Sequence, residues 1–156
     1  MSLSPQNTAF PSQHIRAEDS IGLSFIRVYN LWHRKIKIAL NPLEITHPQF
    51  IVMAAVGYLT TQSVEVKQVD ISIQSDIDVM TVSKIILNLE NKRLLLRSPS
   101  AIDSRAKVVR LTTQGATILA EALQVVEAID QEFFGGLATA QAGFNQQLLR
   151  LVDMNQ

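Results

Sequence analysis

Apolar residues recur every three to four positions at Ile21, Phe25, Val28, Trp32, Ile36 and Leu40. That is the spacing of one helical face, so a long amphipathic helix is predicted over 21–40, stopped by Asn41-Pro42. A second helix is expected from Thr46, because Thr46-His47-Pro48-Gln49 has the form of a capping box and Pro48 sits where its missing N–H costs nothing. Phe50, Met53, Ala54 and Val56 then face inward, until Thr60-Thr61-Gln62-Ser63 ends the run. A short third helix is expected over about 66–75, with Val69, Ile71 and Ile73 as its apolar content. After the turn Asp76-Ile77-Asp78, a helix over 79–92 carries Val79, Val82, Ile85, Ile86 and Leu89 on one face and Thr81, Lys84 and Asn88 on another.

Two short helices joined by a tight turn suggest a helix-turn-helix. Leu94-Leu95-Leu96-Arg97-Ser98 and Lys107-Val108-Val109-Arg110-Leu111 read as strands, and residues 99–106 between them make a hairpin with a protruding loop. Thr112 is an N-cap candidate for a helix over 113–134, striped by Leu119, Leu123, Val126, Ile129 and Phe133 and broken by Gly135-Gly136. A last helix over about 139–152 offers Phe144, Leu148, Leu151 and Val152. The fold class is therefore mainly α, a winged helix-turn-helix with a small β-hairpin wing flanked by terminal helices.

At 156 residues and 47% apolar, the chain has room for one domain with an appended oligomerisation element. It contains no Cys, which removes disulfides, thiolate metal sites and thiol sensing, and fits a reducing cytoplasm. Residues 1–20 lack the apolar run of a signal peptide, and no stretch reaches the length of a membrane span, so no membrane partner is expected. His14, His33 and His47 have no carboxylate at ligand spacing, so no metal site is expected; no catalytic grouping stands out, and neither an enzyme nor a cofactor is read. The formal net charge is zero, yet residues 84–110 hold seven basic and two acidic residues while residues 111–156 hold one and five. The block is either a solvated surface or a footprint that attracts phosphate.

The segments Gln68-Val69-Asp70-Ile71-Ser72, Met80-Thr81-Val82-Ser83-Lys84, Leu89-Glu90-Asn91-Lys92, Asp103-Ser104-Arg105-Ala106-Lys107 and Leu111-Thr112-Thr113-Gln114-Gly115, following the stretch 46–53, resemble the MarR family of bacterial transcription regulators. The likeness spans about 19–152. It implies a flexible tail over 1–18, a dimerisation helix over 19–44, a DNA-binding winged helix over 45–112 and C-terminal dimerisation helices over 113–156. It further implies a homodimer that binds double-stranded DNA at a pseudo-palindromic operator, most simply as a repressor.

Under that resemblance Met80, Thr81, Ser83, Lys84 and Asn88 face DNA from the recognition helix, with Lys84 suited to phosphate and Asn88 to adenine. Arg105 is expected in the minor groove, with the Asp103 carboxylate holding its guanidinium, and Arg97 and Lys107 flank it on the strands. The resemblance also implies a small-molecule effector, often aromatic or anionic, for which Tyr29, Trp32, His33 and Phe50 offer aromatic surface and Arg34 or Lys35 a positive charge; ordinary core packing of Trp32 and Phe50 is the competing reading. Two residues depart from the family pattern. Arg93 replaces the usual Gly after the recognition helix, and Leu87 falls on its exposed side. They keep open an alternative function, a winged helix that docks a protein partner and does not read DNA sequence.

Overall fold

A computed structural model describes residues 11–156. The first ten residues of the tail expected over 1–18 lie outside the described residues. The chain divides into two compact units, the first ending at Arg34 and the second running from Lys35 to Gln156.

In the first unit a 3-10 turn, Ala17–Asp19, precedes helix α1, Ile21–Leu40. The Ser20 hydroxyl accepts the Leu23 N–H at 3.3 Å and opens α1. Asp19 is drawn backward, accepting from the Arg16 N–H. In this unit the predicted stripe is helical but largely uncovered: Ile21 is 85% exposed, Phe25 and Val28 are also exposed, and Trp32 is half-buried.

In the second unit, Ile36 and Leu40 at the end of α1 are fully buried. Helix α2, His47–Thr60, begins with the predicted capping box: Thr46 Oγ1 accepts from Gln49 N at 3.3 Å and Gln49 Oε1 from Thr46 N at 3.0 Å. Lys92 Nζ donates to the Glu44 carbonyl and to Gln49 Oε1, fastening this corner to the end of the recognition helix. Phe50, Val52, Met53, Ala55 and Val56 are buried, and α2 packs against α3, Gln68–Ser75; α4, Val79–Asn91; strand β2, Lys107–Leu111; and α5, Thr113–Gly135. Ala54, expected inside, is half-buried.

Strand β1, Leu95–Pro99, pairs antiparallel with β2, placing Leu95 opposite Leu111 and Pro99 opposite Lys107. Thr112 N donates to the Leu94 carbonyl, and the Thr112 hydroxyl accepts from Gly115 N at 2.9 Å, capping α5. A Cβ on Gly115 would lie 1.9 Å from the Leu94 carbonyl oxygen. The Leu-Thr-x-x-Gly segment is thus a joint in which a helix start rests directly on strand backbone. Beyond α5, a 3-10 turn Ala138–Ala140 leads into α6, Gln141–Asn155, two to three residues later than the periodicity predicts, with Leu149, Leu151 and Met154 exposed.

Helix α3 is shorter than the pattern suggests. Val66 and Lys67 are extended, because Val109 N donates to the Val66 carbonyl and Lys67 bridges Val108, extending the sheet into the α2–α3 connection. Of its apolar residues only Ile71 is buried; Val69 is 50% and Ile73 78% exposed. Val79, expected on the core face of α4, is also exposed, whereas Val82, Ile85, Ile86 and Leu89 are buried.

Candidate nucleic-acid interface

The turn between α3 and α4 needs a left-handed residue, and Asp76 supplies it at φ 53°. The Ser72 hydroxyl donates to the Ile77 carbonyl at 2.6 Å and closes the turn. Asp78 caps α4 by accepting from Thr81 N at 2.9 Å. Bonding to the Thr81 side chain and backbone holds the Asp78 carboxyl below its ordinary range. Gln68 Nε2 donates to the Val79 carbonyl at 3.2 Å, so the starts of the two helices are tied together.

At its far end α4 stops in a left-handed turn at Arg93, φ 59°. Arg93 N donates to the Glu90 carbonyl and Leu94 N to the Leu89 carbonyl, the paired bonds of a Schellman motif. The turn keeps its geometry with arginine in the glycine position. The Thr112 hydroxyl, donating to the Arg93 carbonyl at 2.7 Å, helps to hold it there.

The wing is braced by a residue that sequence reasoning passed over. Glu65, in the α2–α3 connection, accepts from the Ser100 hydroxyl at 2.6 Å and from Ala101 N at 2.8 Å. The same Ser100 oxygen accepts from Ile102 N and Asp103 N, so one buried serine organises the start of the loop. These bonds, the Ser100 hydroxyl first, keep the Glu65 carboxyl below its ordinary range, with Lys67 adding a smaller electrostatic pull. Glu65 and Ser100 are 35 residues apart, and no local pattern joins them.

Asp103 acts differently from expectation. Its carboxylate accepts the backbone N–H of Arg105 at 3.0 Å, fixing the loop while leaving the exposed guanidinium directed by the wing. Arg97 is instead the tethered arginine. Its backbone N and Nε donate to the two Glu90 oxygens at 3.1 and 2.9 Å, and Nη2 completes a half-buried ion pair.

A groove of about 420 Å³ runs between the wing and the start of the helix-turn-helix, lined in part by Lys67, Gln68, Arg97, Arg105 and Lys107. It brings together Arg97, Arg105 and Lys107 from the predicted set and adds Lys67 and Gln68. Met80, Thr81, Lys84 and Asn88 are exposed along α4, Ser83 is half-buried, and Asp103 lies on the loop. The remaining candidates lie elsewhere. On α1, Tyr29 has ring centroids 6.2 Å from Trp32 and 5.1 Å from His33. On α2, Phe50 is buried beside the His47 ring at 6.4 Å. Lys35 is paired with Glu132 of α5 at 3.0 Å. Among the described residues no group of three or more His, Cys, Asp or Glu could hold a metal ion, and no helix is long and apolar enough to cross a membrane.

No protein-family model matches the chain. An HTH-type transcriptional regulator of Bacillus subtilis, YdcH, is 34% identical over 103 residues, 66% of this chain and 70% of YdcH. A mutant of MarR from Escherichia coli, solved in complex with operator DNA, is 26% identical and superimposes with a TM-score of 0.73 over 84% of this chain and 91% of that one. This chain belongs to the MarR family. Within it, BpsR of Bordetella bronchiseptica, whose DNA binding is regulated by 6-hydroxynicotinic acid, is 26% identical with a TM-score of 0.78 over 92% of this chain and 99% of BpsR. MarR-family membership makes the chain a transcriptional regulator with a DNA-binding winged helix, and its relatives are regulators, not enzymes.

Proposed function

We propose that this chain is a dimeric repressor that reads duplex DNA sequence and responds to a small effector. The observation that carries the reading is the basic groove between wing and helix-turn-helix, together with Thr81, Lys84 and Asn88 exposed on α4. Lys67 and Lys107 neutralise phosphates there, while Arg97, held by Glu90, braces the strand beside them; Arg105 reaches a narrow minor groove, and Thr81, Ser83 and Asn88 meet base edges. Residues 45–112 form the DNA-binding part. The exposed apolar surface of α1 and of α6 supports dimerisation through 19–44 and 113–156, because Ile21, Phe25 and Val28 of α1 and Leu149, Leu151 and Met154 of α6 stay exposed. Two recognition helices related by a twofold axis address half-sites about one helical turn apart. The Tyr29, Trp32 and His33 cluster on α1 and, separately, Phe50 on α2 are the candidate effector residues, by analogy with the ligand control of BpsR.

Fluorescence anisotropy against duplexes from upstream of the protein's own gene tests the reading. Specific binding with a steep salt slope is expected, and Arg105→Ala weakens it without unfolding the protein. Absence of specific binding even at low salt would instead favour a protein-docking winged helix.

A further inference from the structure

We propose that Met80 and Leu87 are direct sequence readers, each taking the 5-methyl group of a thymine in the major groove. The inference rests on the DNA-reading function above and assigns the chemistry that α4 recognises. The core side of α4 is set by Val82, Ile85, Ile86 and Leu89. At 3.6 residues per turn, the stripe farthest from them is Met80, Lys84, Leu87 and Asn91, at positions i, i+4, i+7 and i+11. Thr81 and Asn88 lie on its flank. The centre of the outward face therefore holds two large apolar side chains, Met80 70% and Leu87 52% exposed, on either side of Lys84.

Neither side chain contributes to the core, and solvation gives no reason to place both on the stripe that faces outward. A major groove offers one apolar feature, the thymine methyl. Guanine is read most often by a forked arginine, and α4 carries none; its single lysine is a point charge better suited to phosphate. Asn88, on the flank, matches the adenine edge, and adenine is thymine's partner. All three side chains thus point to A·T pairs at the centre of each half-site. Met80 and Leu87 are seven residues apart, about 10 Å along the helix, which spans about three base-pair steps at 3.4 Å each.

The test uses full-length protein and a duplex selected from a random library for tight, salt-sensitive binding. Each thymine in turn is replaced by deoxyuridine, which keeps base pairing and removes only the methyl. Wild-type protein should lose about fourfold in affinity at each methyl taken from contact, at two positions about three steps apart. Leu87→Ala should abolish the penalty at one of these positions and Met80→Ala at the other, with melting temperatures unchanged because both residues are exposed. A selected duplex that tolerates uracil everywhere, or penalties that survive in both variants, would overturn the methyl-reading assignment while leaving DNA reading intact. Failure to select any duplex over random DNA at any salt would overturn both.

Discussion

Replacing Gly115 by Ala adds a single carbon at the point where α5 rests on the hairpin. That carbon would stand 1.9 Å from the Leu94 carbonyl oxygen and 2.9 Å from its carbon, where real Cβ atoms essentially never come closer than 3.0 Å. The obstacle is backbone and is itself held, since the same carbonyl accepts Thr112 N at 3.1 Å. The first turn of α5 must therefore shift by more than an ångström, which strains the Thr112 cap as well. Overpacking costs about 1–3 kcal/mol and a weakened cap about 1 kcal/mol more. Alanine's better helix propensity offsets at most about 1 kcal/mol. The net loss is about 1–3 kcal/mol, a fall in Tm of roughly 2–12 °C for a chain of this size. Differential scanning calorimetry at one fixed protomer concentration measures it, because a dimer's Tm moves with concentration. A variant melting at or above the wild-type temperature would refute the argument, by showing that α5 can settle elsewhere on the hairpin at no cost.

Three further outcomes are expected. Arg93→Gly should raise the urea midpoint by the equivalent of about 0.5–1 kcal/mol, because it relieves a left-handed arginine but adds disorder to the unfolded chain; a lower midpoint would mean that Arg93 makes compensating contacts. Lys84→Ala should weaken DNA binding about equally for all sequences and reduce the salt slope by about one per protomer, as read by anisotropy titrations at several salt concentrations. The depressed Glu65 carboxyl makes the wing brace fully present above the ordinary glutamate value of about 4.3 and lost as pH falls through the lower folded value. Amide exchange at Ala101 and Ile102, corrected for intrinsic rate, should therefore lose protection in acid, and Glu65→Gln should remove the pH dependence.

What could be read from the sequence was what is local. The capping box at Thr46, the start of α5 at Thr112 and, Val79 apart, the core face of α4 each occupy a few turns of chain at most, and are found as predicted. The wing's arginines were legible as residue types but not as partners. Arg97 was expected at DNA and is engaged by Glu90, seven residues earlier across the end of α4, while Asp103 serves the backbone of Arg105 and not its guanidinium. Glu65 escaped notice because its role is defined by Ser100 and Ala101, far along the chain, and Val66 was assigned to a helix because the hydrogen bond that makes it extended comes from Val109. Periodicity likewise revealed an apolar face on α1 without saying what covers it. Such patterns report which side of an element avoids water, and not which surface receives it.

The two attachments of the wing, Glu65 gripping the start of its loop and Val66–Lys67 pairing along β2, both belong to the connection leading into α3. A displacement of α3 consequently carries the wing with it. Wing and recognition helix behave as a single reading head, unable to adjust their bite on one half-site independently. For a dimer of such heads, the proposed effector would have little purchase on the grip of either one and would act on the distance and angle between them. Control of this kind would leave an isolated half-site almost indifferent to the effector, while the paired half-sites of an intact operator lose their match to the protein.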